Sequence, residues 1–167
     1  VLGSFDASGE LLREQGINRS GTIYVPNDRY IFLEGFMYEV YRALYEKQKK
    51  ENVVANTMDL LNAIGERLEL CEGKETSICY WAYKNKIPLF CPGFTDGALG
   101  EVLFFFKQKY PDFKVDITDD LYEITKIALN GEKTGIIALG GSLPKHHIAN
   151  ANLFREGADF AIYLTTA

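Results

Sequence analysis

Histidine is scarce in this 167-residue chain, with two copies, and so are tryptophan, with one, and cysteine, with three. Each scarcity excludes something. The thiols of Cys71, Cys79 and Cys91 are odd in number and include no Cys-x-x-Cys pair. They therefore suggest neither a disulfide framework nor a zinc site, and no metal is expected. Reduced thiols in a cytoplasmic compartment are the simple reading. Positive charge is also short: 18 Lys and Arg face 23 Asp and Glu, for a formal net charge of -5. Such a balance lacks the basic surface that general phosphate-backbone binding requires, so no nucleic-acid partner is expected. It suits cationic ligands instead. No apolar run approaches the length needed to cross a bilayer, so no membrane partner is expected. The opening residues Val1 to Phe5 show no basic stretch followed by an apolar one, so they do not read as a signal peptide. They also lack Met, and the chain is expected to begin inside a longer protein.

What is present alternates. Residues 1–21 are rich in Gly, Ser and charge and read as an irregular arm. Thr22 to Val25 is a short β-type run stopped by Pro26, after which Asn27 and Asp28 can cap a helix. Phe32, Phe36, Val40 and Leu44 recur at helical spacing up to about Lys50, and the lysine-rich end after Glu46 reads as its solvated terminus. Asn56 or Thr57 caps a second helix with Leu60, Leu61, Ile64 and Leu68, and a third runs from about Thr76 to Asn85. From Ile87 the order becomes regular. Apolar strands are expected at Ile87–Cys91, Phe113–Ile117, Thr134–Leu139 and Asp159–Thr165, with helices between them. Strands alternating with helices predict an α/β fold with an open, mainly parallel sheet and helices on both faces. Residues 22–167 read as part of one such domain. Trp81 reads as helix packing, and Phe104-Phe105-Phe106 as core or subunit interface.

In an open parallel sheet, ligands bind beyond the carboxyl ends of the strands. Three such ends carry distinctive residues. Asp96, ahead of a helix, reads either as an N-cap or as a carboxylate facing a polar ligand edge. Glu101 lies about one and a half turns further on and either faces the same rim or is solvated. Gly140-Gly141 suits a close approach of ligand to backbone, and equally a tight strand-to-helix turn. His146 and His147 are adjacent, so on a helix they point about 100° apart and do not chelate one metal together. One of them suits proton transfer at the rim, the other packing or hydrogen bonding. Asn150 shares the face of His146.

Several runs together carry a resemblance. Pro144-Lys145-His146-His147-Ile148-Ala149-Asn150-Ala151-Asn152-Leu153 with Gly157-Ala158-Asp159 resembles the deoxyhypusine synthase family. So do Phe94-Thr95-Asp96-Gly97-Ala98-Leu99-Gly100, Gly16 to Gly21 leading to Val25-Pro26-Asn27, and Tyr80-Trp81-Ala82 with Lys84-Asn85 and Ile87-Pro88. The blocks keep the family's order across essentially the whole chain. The resemblance implies a Rossmann-like NAD-binding domain that oxidises spermidine and passes its aminobutyl group to one lysine of the translation initiation factor 5A precursor. It implies tetramers with active sites at a dimer interface. It also implies that Asp96, Gly141, Thr166 and Ala167 contact NAD, and that His146 accepts a proton near the spermidine secondary amine with Asn150 beside it. Glu101 stands where better-known members have Asp contacting a spermidine ammonium; the charge is kept on a side chain one methylene longer. The family's catalytic lysine belongs to a Trp-Gly-Lys context beyond the last strand, and another NAD loop belongs upstream. This chain is therefore expected to be part of the enzyme and inactive alone. A silent paralogue completing a hetero-oligomer, or a homospermidine synthase-like enzyme, would share these features.

Overall fold

The computed structural model describes residues 9–20 and 23–165. The chain divides between Glu39 and Val40 into two compact units.

In the first unit, residues expected to be irregular carry a short helix, α1 (Gly9–Glu14), and a strand, β1 (Ile17–Ser20), which pairs antiparallel with β2 (Ile23–Pro26). Gly16 makes the turn between helix and strand with φ +70°, a conformation glycine adopts without Cβ strain. The hairpin is tied to the start of α2 (Asn27–Glu51): Asn27 N–H donates to Gly16 O at 2.8 Å, and Asn18 Nδ2 donates to Asn27 Oδ1 at 2.6 Å.

The second unit begins within α2. Val40, Tyr41 and Leu44 occupy one buried helical face. Tyr41 packs on Phe106 of α5 (Ala98–Lys109) and on Phe113, with ring centroids 5.6 and 5.8 Å apart. Offset and edge contacts of this kind add about 0.5–1.5 kcal/mol each beyond buried area. The Tyr41 hydroxyl donates to Leu99 O at 2.8 Å, so the ring enters the core with its polar end satisfied, and burial pushes the phenol well above its ordinary range. Phe106 alone of the phenylalanine run is fully buried; Phe104 and Phe105 are exposed. Trp81 is half exposed rather than packed, because its indole N–H reaches Glu75 O at 2.8 Å; its neighbours Tyr80 and Ala82 turn inward instead. The terminus of α2 is also less free than expected: Tyr45 and Lys49 both bind the Asp112 carboxylate.

α3 (Thr57–Leu68) starts with a capping box in which Asn56 and Asp59 exchange side chain-to-backbone hydrogen bonds. It packs on α4 (Ile78–Lys84) so closely at Gly65 that a Cβ there would lie 2.8 Å from Cys79 O.

The parallel pairing is present but short. β3 (Ala55–Asn56) pairs with β4 (Val115–Asp116), and β5 (Gly135–Leu139) with β6 (Phe160–Leu164). α6 (Thr118–Asn130) leads into β5, and α7 (Ser142–Ala151) crosses from β5 to β6. Among the described residues these are separate two-stranded sheets, not one open sheet. Ile87–Cys91, expected as a strand, has no regular structure. Pro88 removes a ladder donor, and Cys91 N–H turns to the Thr57 hydroxyl at 3.4 Å. The Phe113–Ile117 strand shrinks to two residues because Phe113 N–H bonds Tyr110 O and Lys114 N–H bonds Gln48 Oε1. β5 buries Ile136 and Ala138 but exposes Ile137 and Leu139, and β6 is exposed along its length, so only one face of β5 is covered here. No described helix is long and apolar enough to cross a membrane.

Arg155 holds the amino ends of β5 and β6 together. Its guanidinium donates to the Thr134 hydroxyl, to Gly131 O at 3.1 Å and to Asp159 Oδ2 at 2.9 Å, while Thr134 N–H donates to Asp159 Oδ2 at 2.8 Å. The Thr134 amide and Arg155 hold the Asp159 carboxyl below its usual value. A lowered folded value means that the contribution is present above the unfolded value, about 3.9, and fades as pH falls through the folded one. Thermal melts below about pH 4 are thus expected to fall more steeply for the parent than for Asp159→Asn. Parallel curves would contradict this.

Candidate active site

The first segment of the site is the loop 92–97. Phe94 is buried and anchors it, and Asp96 N–H closes a turn on Gly93 O at 2.9 Å. Asp96 itself is exposed. It does not cap α5: Gly97, at φ +125°, takes that position without a side-chain bond. The N-cap reading is thereby corrected, and the carboxylate is left at the surface. Gly100 lies beneath the same loop, where a Cβ would sit 2.7 Å from the carbonyl carbon of Thr95. Glu101 is exposed in the first turn of α5, where a carboxylate is favoured by the helix dipole.

The second segment follows β5. Gly140, at φ +85°, requires glycine, and its N–H donates to Leu164 O at 2.7 Å, joining the carboxyl ends of β5 and β6. Gly141 has φ -141° and ψ -143°, and a Cβ on it would meet nothing within 4 Å. The space beside its backbone is open, which leaves room for a ligand to lie against it. The N–H groups opening α7 point the same way, as an anion-favouring end. Along α7, His146 and Asn150 are exposed on one face, while His147 turns inward with its Nε2 buried. The adjacent histidines thus divide as their 100° separation requires.

The two segments meet. A Cβ at Gly93 would contact Leu143 Cδ2 at 3.2 Å, so the loop bearing Asp96 lies against the start of the helix bearing His146. Thr166 and Ala167 lie outside the described residues. A cleft of about 870 Å³ lies elsewhere, between Met58, Asn62, Tyr83, Ile87 and Ile127, and no expected site residue lines it. Several of its charged groups are committed to structure: Asp59 to the capping box, Lys84 to Glu69 at 2.9 Å and Glu123 to Lys126 at 3.3 Å. Chemistry favours the glycine-and-histidine rim over this hollow.

Under the rim lies a polar cluster that the sequence did not disclose. Asp120 of α6 is buried, and its Oδ2 accepts from the Thr57 hydroxyl. Burial raises its carboxyl; the Thr57 hydroxyl, the Thr57 and Met58 amides and His147 pull the other way. Cys91 sits close by with its thiol pushed up by burial and then by Asp120, which leaves it a poor nucleophile at neutral pH. Asp119-Asp120 read in the sequence simply as acids in a first helical turn; only packing separates exposed Asp119 from buried Asp120.

A family model described as deoxyhypusine synthase matches residues 1–167. A Methanocaldococcus jannaschii protein named probable deoxyhypusine synthase is 47% identical over 100% of this chain and 52% of its own length. One of the same name from Thermococcus kodakarensis is 43% identical over 100% of this chain and 51% of its own. A Senecio vernalis protein named deoxyhypusine synthase is 44% identical over 99% of this chain and 44% of its own. The chain thus spans about half the length of these relatives.

Proposed function

Because this chain belongs to the deoxyhypusine synthase family, we propose that it forms part of an NAD-dependent transferase. That enzyme moves the 4-aminobutyl group of spermidine to a lysine of the translation initiation factor 5A precursor. What supports the reading in the structure is the contact of the Gly93 loop with Leu143, which sets the Asp96 and His146 segments side by side. The complete enzyme is a cytoplasmic tetramer of Rossmann-like subunits with active sites at a dimer interface, and the uncovered β5–β6 pair belongs to its larger sheet.

The donor set fits a dinucleotide. Gly141 and the opening amides of α7 leave bare backbone for a phosphate, and the exposed Asp96 carboxylate suits a ribose hydroxyl. Thr166 and Ala167 complete that edge. NAD held there would supply the hydride acceptor for oxidation at the carbon beside the spermidine secondary amine. The side chains do the rest. His146 accepts the proton of that amine as a general base. Asn150, one turn along α7, holds the same stretch of substrate by hydrogen bonding. Glu101 neutralises an ammonium group through a charge-assisted hydrogen bond.

Incubating the complete enzyme with NAD, butyl-labelled spermidine and the factor 5A precursor should place label on one precursor lysine. Label appearing only on added putrescine would overturn this in favour of homospermidine synthesis. Transfer only after adding a second, related polypeptide would overturn it in favour of a silent partner subunit. Glu101→Gln is expected to raise the spermidine KM by about 10-fold to 100-fold, the worth of one hydrogen bond to a charged group, with the NAD KM little changed. An unaltered spermidine KM would remove Glu101 from the site.

A further inference from the structure

Two buried polar atoms lack a hydrogen-bond partner among the described residues: Oδ1 of Asp120 and Nε2 of His147. They lie on packed helices, since α6, which carries Asp120, lies against α7, which carries His147, and the imidazole favours ionisation of the carboxyl. The other oxygen of the Asp120 carboxylate is engaged. Oδ2 accepts from the Thr57 hydroxyl, the Thr57 and Met58 amides that open α3 favour the ionised carboxyl, and the Thr57 hydroxyl oxygen in turn accepts from Cys91 N–H at 3.4 Å. Asp120 therefore already binds, through Thr57, the strand of chain that leads into the Asp96 loop. Its remaining oxygen, Oδ1, is buried without a partner among the described residues.

Leaving a carboxylate oxygen and an imidazole nitrogen both buried and unpaired is costly, and each supplies what the other lacks: an acceptor, and a donor when the proton sits on Nε2. We infer that Asp120 and His147 form a buried acid–imidazole couple, closed directly or through one enclosed water, that positions α7 for catalysis. The inference rests on the function proposed above. Most of α7 is otherwise exposed, from Ser142 to His146 and from Ile148 to Asn150. His147 thus shares the inward face of α7 with buried Ala151, one turn on. Because successive helical side chains are about 100° apart, releasing His147 lets the helix roll and carries His146 with it. Asp120 and His147 are positioning residues: they join the Asp96 loop and the His146 helix to one carboxylate without touching substrate.

The test uses the complete enzyme and three substitutions, two of them also combined in a double variant. Asp120→Asn cannot accept on both sides, so it breaks either the α3 contact or the His147 contact. His147→Leu removes the donor, and His147→Gln keeps a donor near the Nε2 position. Asp120→Asn and His147→Leu are each expected to lower kcat on the order of 10-fold to 100-fold, the scale of a small misplacement of catalytic groups, with the KM for NAD little changed. The double variant Asp120→Asn/His147→Leu should be no worse than the poorer single one, and His147→Gln should recover most of kcat. Independently of activity, nitrogen NMR of histidine-labelled enzyme should find His147 protonated on Nε2 in the parent and on Nδ1 in Asp120→Asn. Multiplicative losses in the double variant, equal kcat for His147→Gln and His147→Leu, or a parent His147 protonated only on Nδ1 would each overturn the couple. If the parent enzyme transfers no aminobutyl group, the proposed function fails. The NMR result, with a double-variant cycle in urea unfolding, then still decides whether the pair exists.

Discussion

His146→Ala is expected to lower aminobutyl transfer by the complete enzyme about 10²-fold to 10⁴-fold, the usual worth of a positioned acid–base group. The loss should fall on kcat. His146 is exposed on α7, so truncating it opens no cavity, and unfolding should shift by no more than about 0.5 kcal/mol. His147 is adjacent but turned inward, and it does not take over the role. The informative comparison sets spermidine oxidation, followed as NADH formation, beside transfer to the precursor. Both should fall together, because proton removal accompanies the first step. A kcat within threefold of the parent would dismiss His146 as the base.

Gly100→Ala is the second large effect, and its cause is steric. The added Cβ would fall deep inside contact distance of the Thr95 carbonyl, with the Thr95 carbonyl carbon at 2.7 Å and Cα at 2.9 Å. These are backbone atoms, so no side-chain rotation relieves the clash. Either α5 or the loop carrying Asp96 must move. Overpacking of this kind costs about 1–3 kcal/mol, and it is expected to appear as a lower urea midpoint. Because the displaced segment carries Asp96, NAD affinity should fall about tenfold or more, each tenfold corresponding to 1.4 kcal/mol. Gly65→Ala serves as the control. It clashes with Cys79 O at 2.8 Å between α3 and α4, away from the loop, and should lower stability without a comparable loss of NAD affinity. Equal NAD affinities for Gly100→Ala and the parent would show that the loop does not serve the cofactor.

Much of the helical framework was legible in the residues. The apolar spacing of Leu60, Leu61 and Ile64, with Asn56 ahead of it, predicts α3, and the structure places a capping box there. Thr134–Leu139 and Asp159–Thr165 both appear, each shortened to five residues, because apolar runs bounded by glycine or acid are strong strand signals. Ile87–Cys91 misled for a definite reason. Apolar composition describes what a segment buries, whereas a strand also needs a neighbour to hydrogen-bond, and Cys91 N–H finds a side-chain hydroxyl instead. The ends of Phe113–Ile117 were lost in the same way to competing donors and acceptors on α2 and in the Tyr110 turn.

The site divides along the same line. Local rules suffice to read a glycine pair after a strand, two histidines that cannot share a face and a carboxylate ahead of a helix, because each depends on residues within one or two turns. The sequence thereby determined the family of this chain, the helices that carry its chemistry and the outward face of α7. Tertiary structure alone decided that Asp96 is no cap, that Gly100 is fixed by the Thr95 backbone and that Asp120, rather than Asp119, lies beneath the rim with Thr57 and His147. The Asp120 cluster joins residues 63 positions apart, Thr57 and Asp120. Such long-range contacts depend on how whole elements pack, and no local periodicity records them.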